Sequence, residues 1–113
     1  SNFVVLSGDD ATAFPLYALG GKGVISVISN VAPADMAAMW DATVAGDWDR
    51  ARKLHYKLLP IAEGLFIESN PVPVKSALAM MGRIADELRA PLYPLEGANR
   101  EKVRGFMTQV GLL

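Results

Sequence analysis

At 113 residues, 51% of them hydrophobic, with 11 basic and 12 acidic side chains and a net charge of −1, the chain has the material for one domain with a real core. The absence of cysteine excludes disulfides, thiol nucleophiles and zinc knuckles, and a single histidine, His55, argues against a histidine metal site or a Ser-His dyad. Scattered Lys and Arg form no basic stripe for nucleic acid, and no apolar run nears the ~18–20 residues that cross a bilayer, so the chain reads as cytoplasmic, with neither nucleic acid nor membrane as a partner.

The first expected element is a strand. Phe3, Val4, Val5 and Leu6 form a continuous apolar run, the pattern of a strand covered on both faces, and they meet the turn formers Ser7, Gly8, Asp9 and Asp10. Asp10 is a candidate N-cap for a helix to about residue 18, with Ala13, Leu16 and Tyr17 at helical spacing and Gly20 and Gly21 to end it. Pro15 either kinks that helix or delays its start. A second buried-type strand is expected over residues 23–27, followed by polar Ser29 and Asn30. Strand, helix and strand over so short a span read as a parallel βαβ unit with a right-handed crossover.

From Pro33 onward the pattern is helical. Pro33 suits a first helical position, and Met36, Ala37, Met39, Trp40 and Val44 recur at helical spacing before Gly46. Asp47 can cap the next helix, whose apolar stripe runs through Trp48, Ala51, Leu54, Leu58, Ala62 and Leu65 and is bent at Pro60. Residues 68–73 read as a loop stiffened by Pro71 and Pro73. Val74, Ala77, Leu78 and Met81 make a third stripe ended by Gly82, with Met80 and Met81 as core filler. A last helix over about 98–110 carries Val103, Phe106, Met107 and Val110 and stops at Gly111.

Parallel buried strands followed by four helices make an unbalanced domain, because such strands need neighbours. The organisation reads as the C-terminal piece of a larger α/β protein, or as a chain whose sheet a partner completes. A free-standing helical interaction module is the reading from another functional class. The stretches LSGDDATAFPLYALGGKGVISVISNVAP (residues 6–33) and ESNPVPVKSALAMMG (residues 68–82), with the ending GLL, closely resemble the C-terminal part of the dihydrodipicolinate synthase family. The Gly-Gly-x-Gly approach to the second strand is shared with sialic-acid lyase relatives. The Asn-Pro-x-Pro-Val-Lys run at residues 70–75 discriminates for the synthases.

The resemblance implies an α/β fold, the C-terminal part of a (β/α)8 barrel of about 250 residues. Residues 3–6 would be its seventh strand and 23–27 its eighth, with residues 1–46 as the last two βα units and 47–113 as an appended helical domain. It also implies a Schiff-base-forming synthase of lysine biosynthesis that condenses pyruvate with aspartate semialdehyde, usually a homotetramer, with no metal and no cofactor. Another pyruvate-dependent aldolase or lyase of the superfamily is the alternative. The nucleophilic lysine, the tyrosine relay and the carboxylate-binding arginine of the family lie on earlier strands, so no catalytic residue falls in this chain and the chain alone is expected to be inactive, awaiting the N-terminal half of the barrel.

The substrate-binding positions carried over are Gly8, Ile25 through its backbone carbonyl, and, more weakly, Ser26. A glycine lets backbone approach a ligand, although Gly8 equally suits a plain turn and Ile25 plain barrel filling. Among the lysines, Lys22 lies at the wrong end of its strand for chemistry, Lys53, Lys57 and Lys102 suit solvated helix faces, and Lys75 suits pairing with a carboxylate or carbonyl. Asp9 and Asp10 read as capping and loop residues rather than an acid-base pair. His55 reads as a surface residue, and Asn70 as a loop-fixing residue with a reach toward the substrate channel as its alternative.

Overall fold

The structure, a computed structural model, describes residues 2–113. Its elements are helices α1 (Ala13–Ala18), α2 (Pro33–Val44), α3 (Trp48–Gly64), α4 (Val72–Met80) and α5 (Gly97–Gln109), with a 3-10 turn at Ile28–Asn30 between α1 and α2. One apolar core runs through all five helices, from Tyr17 of α1 through Met39 and Ile61 to Val74 and Met107.

Local signals account for most boundaries. Pro33 opens α2, and the helix gives way to Gly46, which adopts φ 76°. The Asp47 carboxylate accepts the Arg50 N–H at 3.1 Å and so caps α3. Pro60 lies inside α3 and withholds the N–H that the Tyr56 carbonyl would otherwise receive. Helix α4 begins inside the stretch read as a loop, because Pro73 fits its first turn, where an N–H has no helical partner. The helix is followed by Gly82 at φ 70°.

The expected strands are only partly present. Lys22 N–H donates to the Val5 carbonyl, Ser7 N–H to Gly23 and Ile25 N–H to Ser7, each at 2.9 Å, which is a parallel register. A single parallel bridge, Ser7 to Val24, results, and no described segment is long enough in the ladder to form a regular strand. Coverage on both faces is corrected as well: Phe3 is 82% exposed, Val4 58% and Ile25 71%. Helices cover part of this pair, but no further strand among the described residues flanks it.

Asp10 is not the cap of α1. The helix starts at Ala13 after Thr12, without a side-chain cap, and Pro15 is accommodated in its first turn. Asp10 contributes only its carbonyl there, to the Ala13 N–H at 3.2 Å. Trp48, placed on the buried stripe of α3 by its spacing, is 41% exposed at the helix start. Met80 and Met81 pack against the core as expected.

Candidate site at the ends of the paired segments

The parallel register sets Gly8 and Ile25 side by side, each one residue beyond the Ser7–Val24 bridge. Ser7 is buried and organises the first loop: its hydroxyl donates to the Asp9 carbonyl at 2.7 Å, accepts the Asp9 N–H at 3.1 Å and lies 3.0 Å from the Thr12 hydroxyl. Gly8 is held between these anchors and is exposed. Its φ is not in the left-handed region, and nothing in the chain lies within 4 Å of where a Cβ would stand. Within this chain, therefore, neither turn geometry nor packing requires a glycine at position 8.

On the second segment, Ile25 is tied by its N–H to Ser7, and among the described residues no hydrogen bond is directed to its carbonyl. Ser26 begins a closed turn: its hydroxyl oxygen accepts the Ser29 N–H at 2.9 Å, and the Ser29 hydroxyl donates to the Ser26 carbonyl at 3.1 Å. Successive side chains on an extended segment point to opposite faces. Ser26 accordingly lines a groove of about 340 Å3 against α2, together with Lys22, Met36 and Trp40, while the Ile25 side chain stays exposed. The structure brings Gly8 and Ile25 together and turns Ser26 toward the helices.

Asp10 is the residue whose role the sequence concealed. Its carboxylate is buried and accepts the N–H groups of Val27 at 2.8 Å and Ile28 at 2.9 Å, joining the two loops. Its second oxygen, Oδ1, is buried and has no hydrogen-bond partner among the described residues. Tyr17 stands nearby, edge-on to Trp40 with ring centroids 4.9 Å apart; burial, and then the charge of Asp10, raise its hydroxyl above the ordinary 10.0 and keep it protonated.

Lys53, Lys57 and Lys102 are exposed on their helices as expected, and Lys75 departs from expectation. The Lys57 ammonium also pairs with Asp35 of α2 at 2.7 Å. Lys75 is half-buried and has no carboxylate within ion-pair distance among the described residues. His55 is not a plain surface residue: the Phe14 ring packs against it at 5.3 Å, and burial lowers its pKa from 6.5. Asn70 is exposed and its peptide bond to Pro71 is cis.

One polar cluster lies away from this site. The buried Ser76 hydroxyl donates to Asp86 at 3.0 Å and accepts the Leu95 N–H at 3.2 Å, and Arg100 pairs with Asp86 at 2.6 Å. These bonds fasten the segment between α4 and α5. A serine at helical spacing from the buried Val72 and Pro73 was the available sign of such a hub. Among the described residues no cluster of His, Asp and Glu could hold a metal, and no helix is long and apolar enough to cross a membrane.

Comparison with known proteins places this geometry. The sequence profile described as the Dihydrodipicolinate synthetase family matches residues 1–110. The 4-hydroxy-tetrahydrodipicolinate synthase of Syntrophobacter fumaroxidans is 58% identical over 111 residues, which are 97% of this chain and 38% of that protein. The crystal structure of the Thermotoga maritima dihydrodipicolinate synthase superposes with a TM-score of 0.96 at 45% identity, covering 99% of this chain and 38% of that one. The chloride-inhibited Acinetobacter baumannii enzyme, solved in complex with pyruvate, gives 0.93 at 41% identity over 98% of this chain and 38% of its own. The chain thus spans well under half the length of the relatives it matches. With a profile match over nearly all its residues and the same backbone in solved members, the chain belongs to the dihydrodipicolinate synthetase family and matches the C-terminal portion of its members.

Proposed function

We propose that this chain supplies the last two βα units, residues 1–46, and the appended helical domain, residues 47–113, of a (β/α)8-barrel lyase. That enzyme condenses pyruvate with aspartate semialdehyde in lysine biosynthesis. Pyruvate is held as a Schiff base on a lysine outside this chain, an amine that its surroundings must desolvate or depress to make nucleophilic. Gly8 and the Ile25 carbonyl form part of the wall beside it, at the C-terminal face where barrel enzymes place their chemistry, and Ser26 lies at its margin. The assembled enzyme is a cytoplasmic homotetramer that needs neither metal nor cofactor. The chain alone is inactive.

The observation that carries this reading is the juxtaposition of Gly8 and the Ile25 carbonyl at the ends of a parallel pair. That pair stands in a chain 41% identical to an enzyme solved with pyruvate. The test is borohydride reduction in the presence of pyruvate, read by intact mass. The chain alone is expected to take up no reduced pyruvate. Mixed with the N-terminal remainder of the Syntrophobacter fumaroxidans synthase, it should support one adduct, on that partner. An adduct on Lys22, Lys53, Lys57, Lys75 or Lys102 would overturn the reading. Turnover of the assembled enzyme with a sugar acid in place of aspartate semialdehyde would move it to another aldolase of the superfamily.

A further inference from the structure

We propose that Asp10 is a positioning residue for the pyruvate-binding wall, setting the Ile25 carbonyl and the Gly8 backbone in one fixed relation. The inference rests on the reading above, that these two groups face pyruvate. Asp10 is only 4% exposed and sits two residues beyond Gly8; its Oδ2 grips Val27 and Ile28, 17 and 18 residues away, at 2.8 and 2.9 Å. The peptide bearing the Ile25 carbonyl is therefore anchored on both sides. Before it, the Ile25 N–H is held by the Ser7 carbonyl. After it, the N–H groups of Val27 and Ile28 are held by Asp10, and that of Ser29 by the Ser26 hydroxyl. Hydrogen bonds to an ionised acceptor are roughly twice as strong as neutral ones, so the carboxylate is the firmest of these anchors.

The carboxylate satisfies, from a distant loop, two N–H groups at the start of the 3-10 turn Ile28–Asn30 that have no partner within that turn. An aspartate just before a helix would ordinarily cap it, yet α1 has no side-chain cap and the Asp10 carboxylate is turned away from it. The buried carboxylate forgoes the nearby helix to bind the two loops that carry the proposed substrate contacts. The same two bonds fix the turn that follows the Ile25 carbonyl relative to the Gly8 loop.

Asp10→Ala and Asp10→Asn test the assignment, each in this chain and in the complete synthase that carries it. In this chain, amide hydrogen exchange should show Val27 and Ile28 protected in the wild type and in Asp10→Asn, whose amide oxygen still accepts both N–H groups, and exposed in Asp10→Ala. In the complete synthase, Asp10→Ala should raise the pyruvate KM by about tenfold, the scale set by losing a charge-assisted hydrogen bond, with a smaller effect on kcat. Asp10→Asn should recover the KM to within about threefold. An unchanged KM in Asp10→Ala overturns the inference, as does a KM in Asp10→Asn raised as far as in Ala while its amides stay protected, which would assign the effect to charge. Failure of the wild-type synthase to trap pyruvate with borohydride overturns the underlying reading and the inference with it.

Discussion

Ile25 and Ile61 are the same side chain in opposite circumstances, one 71% exposed and the other fully buried. They represent two regions of the molecule, the paired segments near the N-terminus and the helical body. A helix completes its backbone hydrogen bonds within itself and needs only one apolar stripe covered, so α2 to α5 can satisfy one another. A parallel strand needs neighbours on both edges and layers on both faces. Residues 3–6 are as apolar as the core yet exposed, and in residues 23–27 Ile25 is exposed while Val24 and Val27 pack against the core. Apolar patterning therefore reports what a segment requires, and the tertiary context decides whether it receives it.

The strongest way to break this comparison is to truncate both isoleucines. Ile61→Ala should cost about 2–5 kcal/mol, by lost transfer energy and the cavity left behind, and Ile25→Ala should stay within about 0.5 kcal/mol. Urea denaturation followed by helical circular dichroism measures both; equal losses would mean that the paired segments are covered in solution. A further probe of the helical body is its polar fastening. Ser76→Ala removes the hydroxyl shared by Asp86 and Leu95, and about 1–3 kcal/mol should be lost as buried partners go unmatched. A smaller effect belongs to the cap of α3, where Asp47→Ala should cost about 1 kcal/mol.

The smallest effect is on pH dependence. His55 titrates below its ordinary 6.5 in the folded chain because burial disfavours the charged ring. The unfolded chain then binds protons that the folded one does not, so stability rises with pH through this window and is lost as pH falls below 6.5. With the ring only partly buried this contribution is small, and it is read as a rise in Tm from about pH 5 to pH 7. Thermal melts of His55→Gln should lack this slope; an unaltered slope would assign it to other groups.

Some of the fold and site was legible in the residues. Asp47 as a cap and Gly46 and Gly82 as stops are signals between near neighbours, and α2, α3 and α5 start and end within about two residues of expectation. The parallel relation of the first two apolar segments was legible because a short strand-helix-strand span leaves little other choice. Asp10 was misassigned because a helix cap is the nearest use for an aspartate before an apolar run, and nothing local points to Val27 and Ile28. His55 was misread because the ring that shelters it, Phe14, belongs to another helix. Close packing adds constraints of the same kind: a Cβ on Gly64 would run into the Phe106 ring, a meeting visible only once α3 lies against α5.

By itself the sequence determined most of the helical stripes, the Asp47 cap and the glycine stops, the unmet demand of the first segments for neighbours, and the motifs that place the chain in its family. Only the tertiary structure decided that Asp35 meets Lys57, that Ser76 and Arg100 share Asp86, and that the Asp10 carboxylate ties the Gly8 loop to the turn after Ile25. The physical reason is range. Periodicity, capping and turn chemistry act over a few residues and are written in consecutive letters. A hydrogen bond between groups 10 to 22 residues apart exists only when packing brings them together.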